Sequence, residues 1–189
     1  MAHSRPETDE YFLSMARLVS YRATCDRRAV GCVLVDKHKH VLATGYNGVA
    51  AGEPHCIDVH CPGAKLPSGT GLDLCQAIHA EQNAILQCSN VHDIETAYVT
   101  VSPCITCTKL LMNTGCKRIV FIKPYTDDSP KEIWKGEWIN HGPIKYVFTE
   151  GGMATTDRIA GSIVSKPNKS RRRNVRSTFA NIWPWRSKT

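Results

Sequence analysis

A three-layer α/β domain, with a mixed sheet covered by helices, is the fold this sequence predicts. Three observations carry it. Short apolar runs rich in β-branched residues alternate with helix-like segments between residues 8 and 150. The runs "TAYVTV" (96–101) and "KRIVFI" (117–122) are separated by a helical stretch, as a right-handed crossover between parallel central strands requires. A chain of 189 residues with 42% hydrophobic content can bury one sizeable core, and that length favours a single domain plus appendages.

Tyr11, Met15, Leu18 and Val19 recur at helical spacing after an acidic start and predict the first helix. "AVGCVLV" (29–35) and "HVLATGY" (40–46) read as short strands joined by a polar turn at 37–39. Residues 47–74 are rich in Gly, Pro, Cys and His, and so long an irregular stretch needs something to fix it inside a compact domain; a metal would serve. There follow a helix "CQAIHAEQNAILQC" (75–88), the strand 96–101, a helix "CITCTKLLMNTG" (104–115), the strand 117–122, a helix near "SPKEIWKGEWIN" (129–140) and a last strand "IKYVF" (144–148). No internal repeat is apparent.

The net charge of +7 is concentrated at one end. Lys166, Lys169, Arg171, Arg172, Arg173, Arg176, Arg186 and Lys188 are eight of the 24 basic residues, and no acidic residue lies beyond 165. The remainder has 16 basic against 17 acidic residues, a net of −1. We therefore divide the chain into a domain, 1–150, and a basic tail, 151–189, whose prolines, charges and lack of periodicity predict weak order. The tail admits two readings: a solvated extension, or a contact to nucleic acid or a partner, with Trp183 and Trp185 available for stacking.

No stretch approaches the roughly 18 apolar residues of a membrane span, and residues 1–10 lack the apolar core of a signal peptide. The chain reads as cytoplasmic, with no membrane partner. In a reducing compartment its nine cysteines are candidates for metal ligands or core positions rather than a disulfide framework.

The strongest chemical signal pairs "HAE" (79–81) with "SPCITC" (102–107). Residues two apart on a helix do not share a face, so an ion pair does not explain His79 and Glu81. Pro103 suits a first helical turn, which places Cys104 and Cys107 near a helix start, one turn apart. Two thiolates and the His79 imidazole can hold zinc and leave its fourth position open, the arrangement of a catalytic site. Helix N-termini favour the thiolates that binding requires, and zinc makes hydroxide from water near neutral pH. Glu81 need not bind the metal; its carboxylate can take a proton from the water and deliver it to a substrate. H-x-E followed by P-C-x-x-C is the signature of zinc nucleobase deaminases.

On these motifs the chain resembles the zinc-dependent cytidine and deoxycytidylate deaminase superfamily, and within it the deoxycytidylate (dCMP) deaminase branch, including its bacterial late-competence and phage members. The resemblance spans roughly residues 8–150 and also rests on "RRAVGCVLV", "ATGYNG", "GEPHC", "HAEQNAI" and "CKRIVFIKPY". It implies a cytidine deaminase-like α/β/α fold with a mixed five-stranded sheet. It implies hydrolytic deamination at C4 of the cytosine, with Glu81 protonating N3 and then the departing amine, so that dCMP gives dUMP and ammonia and supplies thymidylate synthesis. Family members are commonly homohexamers with dCTP as activator and dTTP as inhibitor. Some regulated relatives carry an arginine shortly after the HAE helix, where this chain has "LQCSNVHDI", with Asn90 near that place.

By the same resemblance Asn47 hydrogen-bonds the deoxyribose, although Asn-Gly is also a plain turn signal. The backbone around Ala80 reads the cytosine carbonyl, and Tyr125 closes on the base, its other reading being an ordinary amphipathic tyrosine. Arg27 and Arg28 are candidates for the nucleotide phosphate, because arginine matches phosphate bidentately, or else are two solvated arginines. Cys25, Cys56, Cys61 and Cys75 flank or lie in the irregular segment and resemble the ligands of a second, structural zinc; His55 and His60 are neighbouring alternatives to a cysteine ligand. Cys32, Cys88 and Cys116 read as small buried apolar residues. Two rival functions share part of the pattern: a tRNA adenosine deaminase-like enzyme, and a non-catalytic zinc protein that binds nucleic acid through its tail.

Overall fold

The structure is a computed structural model that describes residues 5–67, 70–149 and 152–155. The tail beyond 155, with Trp183, Trp185 and the basic cluster, lies outside the described residues.

Its centre is a five-stranded mixed sheet built from β1 (Gly31–Val35), β2 (Val41–Tyr46), β3 (Thr96–Val101), β4 (Arg118–Lys123) and β5 (Glu137–Asn140), in the order β2-β1-β3-β4-β5. β1 is antiparallel to both its neighbours, whereas β3, β4 and β5 run parallel. Strands β1 and β3 are buried without interruption because both faces of the sheet are covered. Alternate residues divide between two cores: Cys32, Leu34, Ala97, Val99, Ile119 and Phe121 point to one, and Val33, Val35, Tyr98, Val120 and Ile122 to the other.

α1 (Thr8–Ser20) covers the second face with Phe12, Leu13 and Ala16. α2 (Ala80–Gln87) and α3 (Ile105–Met112) cover the first, through Ala80, Ala84 and Leu111. Both close helix contacts depend on glycine. A Cβ on Gly31 would meet Ala16 O at 2.1 Å, and one on Gly45 would meet Ala80 O at 2.2 Å. The β1–β2 turn is held by Asp36, whose Oδ1 accepts from the backbone N–H groups of His38 and His40, both at 2.8 Å, with Lys39 in the left-handed region at φ 69°.

Several predicted elements shift. The apolar face of α1 is displaced by one position: Tyr11 and Leu18 are 47% and 46% exposed, while Met15 and Val19 are half-buried. The helix predicted over 75–88 starts only at Ala80, because His79 is extended at φ −72°, ψ 159° and serves as N-cap. α3 likewise has Cys104 as its N-cap, so Pro103 precedes the helix rather than opening its first turn. The helix expected over 129–140 is replaced by α4 (Ser129–Ile133) and the fifth sheet strand. Gly136 brings the backbone so close to β4 that a Cβ would meet Lys117 O at 2.1 Å, and β5 then pairs along β4 with Ile119 opposite Trp138. The last predicted strand is β6 (Tyr146–Thr149), which pairs with β7 (Gly152–Thr155) in a hairpin outside the main sheet. That hairpin straddles position 150.

Candidate functional site

The sheet brings two helix starts together. β3 ends at Val101 and passes through Ser102 and Pro103 into the Cys104 cap, beside the His79 cap of α2. The approach to α2 is tied down: Gly48 and Ile78 exchange both backbone hydrogen bonds at 3.2 and 2.8 Å, Asn83 Nδ2 donates to Tyr46 O at 2.8 Å, and the His79 N–H donates to Gln82 Oε1 at 2.8 Å.

His79 Nδ1 stands 3.4 Å from the sulfurs of both Cys104 and Cys107. Among the described residues these three side chains form the one group of His, Cys or acidic ligands whose atoms all lie within 4.8 Å of one another. Zinc–nitrogen and zinc–sulfur bonds of about 2.0 and 2.3 Å at a tetrahedral angle put nitrogen and sulfur about 3.5 Å apart. The donor set therefore fits zinc in number, type and spacing. The sulfurs are unequal: the Cys107 thiol hydrogen-bonds to Cys104 and, with the His79 imidazole, outweighs burial to hold Cys104 down at about 4. Cys107 is pushed up by that same neighbour and by burial. His79 is raised by its bond to Cys104 against the cost of burial.

Glu81, in the first turn of α2, is 3% exposed, and burial raises its pKa against the favourable charge of His79. A buried carboxyl with a raised pKa, beside a cluster of metal ligands, can carry a proton in either direction.

One cleft gathers most of the predicted residues: His79, Ala80, Glu81 and Cys104 at one end, with Asn47, Tyr125, Arg27, Arg28, Cys25 and Cys75 around it. Cys107 is buried behind it. The roles within the cleft are more particular than the sequence indicates. Asn47 braces the wall, its Nδ2 donating to Arg28 O at 2.7 Å and its Oδ1 accepting from Val30 N–H at 2.8 Å. Arg27 donates to the carbonyls of Pro67 and Thr70, which anchors the irregular segment. Among the described residues Arg28 has no such carbonyl partner, and it lies over the Tyr125 ring, 5.8 Å from its centroid. Sequence reasoning passed over Ser102, whose Oγ accepts from Tyr125 N–H at 2.7 Å and so positions that ring; its signal was its place in "SPCITC".

The remaining candidate ligands form a looser group. Cys56 and Cys61 are buried with their sulfurs 3.6 Å apart. Cys61 is lowered by the Gln76 backbone N–H, against burial, and by the thiols of Cys56 and Cys75; Cys25 is raised by burial and also feels Cys75 and Cys56. The four cysteines share one neighbourhood without the closeness of the first cluster. His60 faces Asp26 at 3.3 Å. Cys32 is fully buried in the core, as expected, and Cys88 and Cys116 pack half-buried against it.

Comparison with known proteins agrees with this geometry. Residues 6–123 match the family model of the cytidine and deoxycytidylate deaminase zinc-binding region. The deoxycytidylate deaminase of Schizosaccharomyces pombe is 40% identical over 129 residues, covering 66% of this chain but only 40% of the relative, so this chain spans well under half the length of that protein. The deoxycytidylate deaminase of Mycobacterium phage D29 is 41% identical over 128 residues, 64% of this chain and 98% of the phage protein. The crystal structure of dCMP deaminase from the cyanophage S-TIM5, in complex with dCMP and dUMP, superposes with a TM-score of 0.58 at 26% identity, over 73% of this chain and 99% of that one. With ligands, buried carboxyl and fold in place, and a match across residues 6–123, the chain belongs to the cytidine and deoxycytidylate deaminase zinc-binding family.

Proposed function

We propose that the protein deaminates dCMP hydrolytically to dUMP and ammonia. The carrying observation is the buried Glu81 carboxyl beside the His79–Cys104–Cys107 cluster, at the end of a cleft that also presents Arg28 and Tyr125. Similarity to a solved dCMP deaminase that holds dCMP and dUMP supports the choice of substrate.

His79, Cys104 and Cys107 would hold the zinc, which would supply the acidification of a water to near neutral pH. Glu81 takes a proton from the water that attacks C4 and gives it to N3 of the base, then takes the second proton from the hydroxyl now on C4 and passes it to the amine, which leaves as ammonia. The Ala80 backbone at the start of α2 reads the ring carbonyl, Tyr125 closes over the base, and Asn47 fixes the wall at the sugar. Arg28 is the phosphate donor, because Arg27 is already committed to two carbonyls.

A second zinc at Cys25, Cys56, Cys61 and Cys75 would close the irregular segment, and Cys25 and Cys75 also border the cleft. Nine free cysteines fit a reducing, cytoplasmic setting, and no helix of the described residues is long and apolar enough to cross a membrane. The product would feed thymidylate synthesis. A homohexamer with dCTP and dTTP as effectors is the assembly the resemblance favours, the domain occupying the chain to about residue 150 and the basic tail adding a nucleic-acid contact.

The test is ammonia release from dCMP, deoxycytidine, dCTP and a tRNA substrate offered separately to zinc-replete protein. Turnover of dCMP that falls about 10²–10⁴-fold in Glu81→Ala supports the proposal. Turnover of tRNA with dCMP untouched overturns it.

A further inference from the structure

Behind Arg28 the structure has a second cleft, of about 300 Å³, between the end of α1 and the ends of β3 and β4. It shares Arg28 and Val101 with the substrate cleft, so the two are neighbours across one arginine. Three cations from three separate segments converge on it: Arg17 from the last turn of α1, Arg28 from the approach to β1, and Lys123 from the end of β4. Among the described residues none of the three has a carboxylate within 4.0 Å, whereas Arg118 and Lys117 elsewhere on the sheet are each paired. Converging like charges repel one another and persist where an anion is to be received.

The rest of the lining suits the same ligand. Thr100 Oγ accepts from Gly31 N–H at 3.2 Å, which leaves its own O–H to donate. Arg17 lies in the last turn of α1, where it also offsets the negative end of the helix dipole. Carbonyls at that end are already satisfied, Leu18 O by Tyr21 N–H and Val19 O by Arg22 N–H.

We propose that this cleft is a subsite for an oligophosphate group, reached past the position where Arg28 meets a nucleotide monophosphate. The placement beyond Arg28 rests on the proposed dCMP reading; the anion site itself rests on Arg17, Lys123 and Thr100. A single phosphate is served by Arg28 alone, and the two further cations provide for the phosphates after it. The same chemistry could come from a nucleoside diphosphate or from free pyrophosphate.

The experiment titrates inorganic pyrophosphate calorimetrically into the wild-type protein, the Arg17→Gln/Lys123→Gln double variant and an exposed control outside the cleft lining, Lys65→Gln. Pyrophosphate binding at least about tenfold weaker in the double variant than in the other two is expected, the loss of two charge-assisted contacts. Equal binding in all three, or none in the wild type, overturns the subsite. A parallel arm measures inhibition of dCMP turnover by dCDP. If the source is a nucleotide, the inhibition constant rises about tenfold in the double variant while KM for dCMP holds; if only pyrophosphate responds, the subsite stands with a free anion as its ligand. Should Arg17→Gln fail to fold, Lys123→Gln alone carries both arms. Calorimetry needs no turnover, so protein that binds pyrophosphate in this manner yet leaves dCMP intact sinks the deaminase proposal and keeps the subsite.

Discussion

A carboxyl kept almost fully from water is costly unless it has work that needs it there, and Glu81 sits within the first turn of the helix capped by His79. Replacing it by glutamine removes the proton carrier while keeping shape and hydrogen bonding. Glu81→Gln is expected to lose about 10²–10⁴-fold in kcat and to retain zinc, checked by ammonia release beside metal analysis. Cys104→Ser should do the reverse in order, losing metal first and activity as a consequence. Asn47 has a different task, since its amide joins the backbones of Arg28 and Val30. Asn47→Ala leaves a buried donor and acceptor unpaired and should cost about 1–3 kcal/mol in denaturant unfolding, with KM rising as the Arg28 wall loosens. The cluster of His79, Cys104 and Cys107 was legible because its signal is local, H-x-E and P-C-x-x-C within two short segments. The bracing role of Asn47 was not, because its partners lie 17 and 19 residues away in sequence.

At the level of elements, the placement of His79 and Glu81 depends on how closely α2 lies on β2. Gly45→Ala places a Cβ 2.2 Å from Ala80 O and 2.4 Å from Ala84 N, so the helix carrying His79 and Glu81 must move. We expect a loss of about 1–3 kcal/mol by thermal unfolding and a disproportionate fall in kcat, because about 1 Å of displacement at a reacting group costs orders of magnitude. On the other face α1 is pinned through Asp9, which accepts from Tyr98 Oη at 2.7 Å and from Arg118 at 3.2 Å. Burial alone raises the Asp9 pKa, but these two partners outweigh it and hold the carboxyl below its ordinary value. A depressed folded-state pKa means that the stabilisation is complete above the unfolded value of about 3.9 and is lost as pH falls through the lower folded one. The destabilisation caused by Asp9→Asn should therefore be largest at pH 7 and shrink toward pH 3, as read from unfolding midpoints at the two pH values. The sequence misplaced the fifth strand for a related reason. "EWIN" is too short to show a period, and its partner, β4, is fixed by the crossover rather than by anything within the segment.

Across the whole molecule, the charge is divided between a near-neutral domain and a tail that carries eight cations and no anion beyond residue 165. Deleting 165–189 is expected to leave dCMP turnover and the unfolding midpoint within experimental scatter of the full chain, and to abolish retention on an anionic matrix; a large loss of turnover would assign the tail to the site. The sequence by itself determined the class of fold and pointed to the cluster of His79, Cys104 and Cys107 with Glu81 beside it, because strand alternation, helix starts and metal spacing are short-range properties written into adjacent residues. Only the tertiary structure decided which strand closes the sheet, that Arg27 holds the irregular segment while Arg28 lies over the Tyr125 ring, and that Arg17 and Lys123 line one cleft behind it. Those outcomes depend on contacts between segments far apart in the chain, whose free energy arises only when the sheet and its helices are packed together.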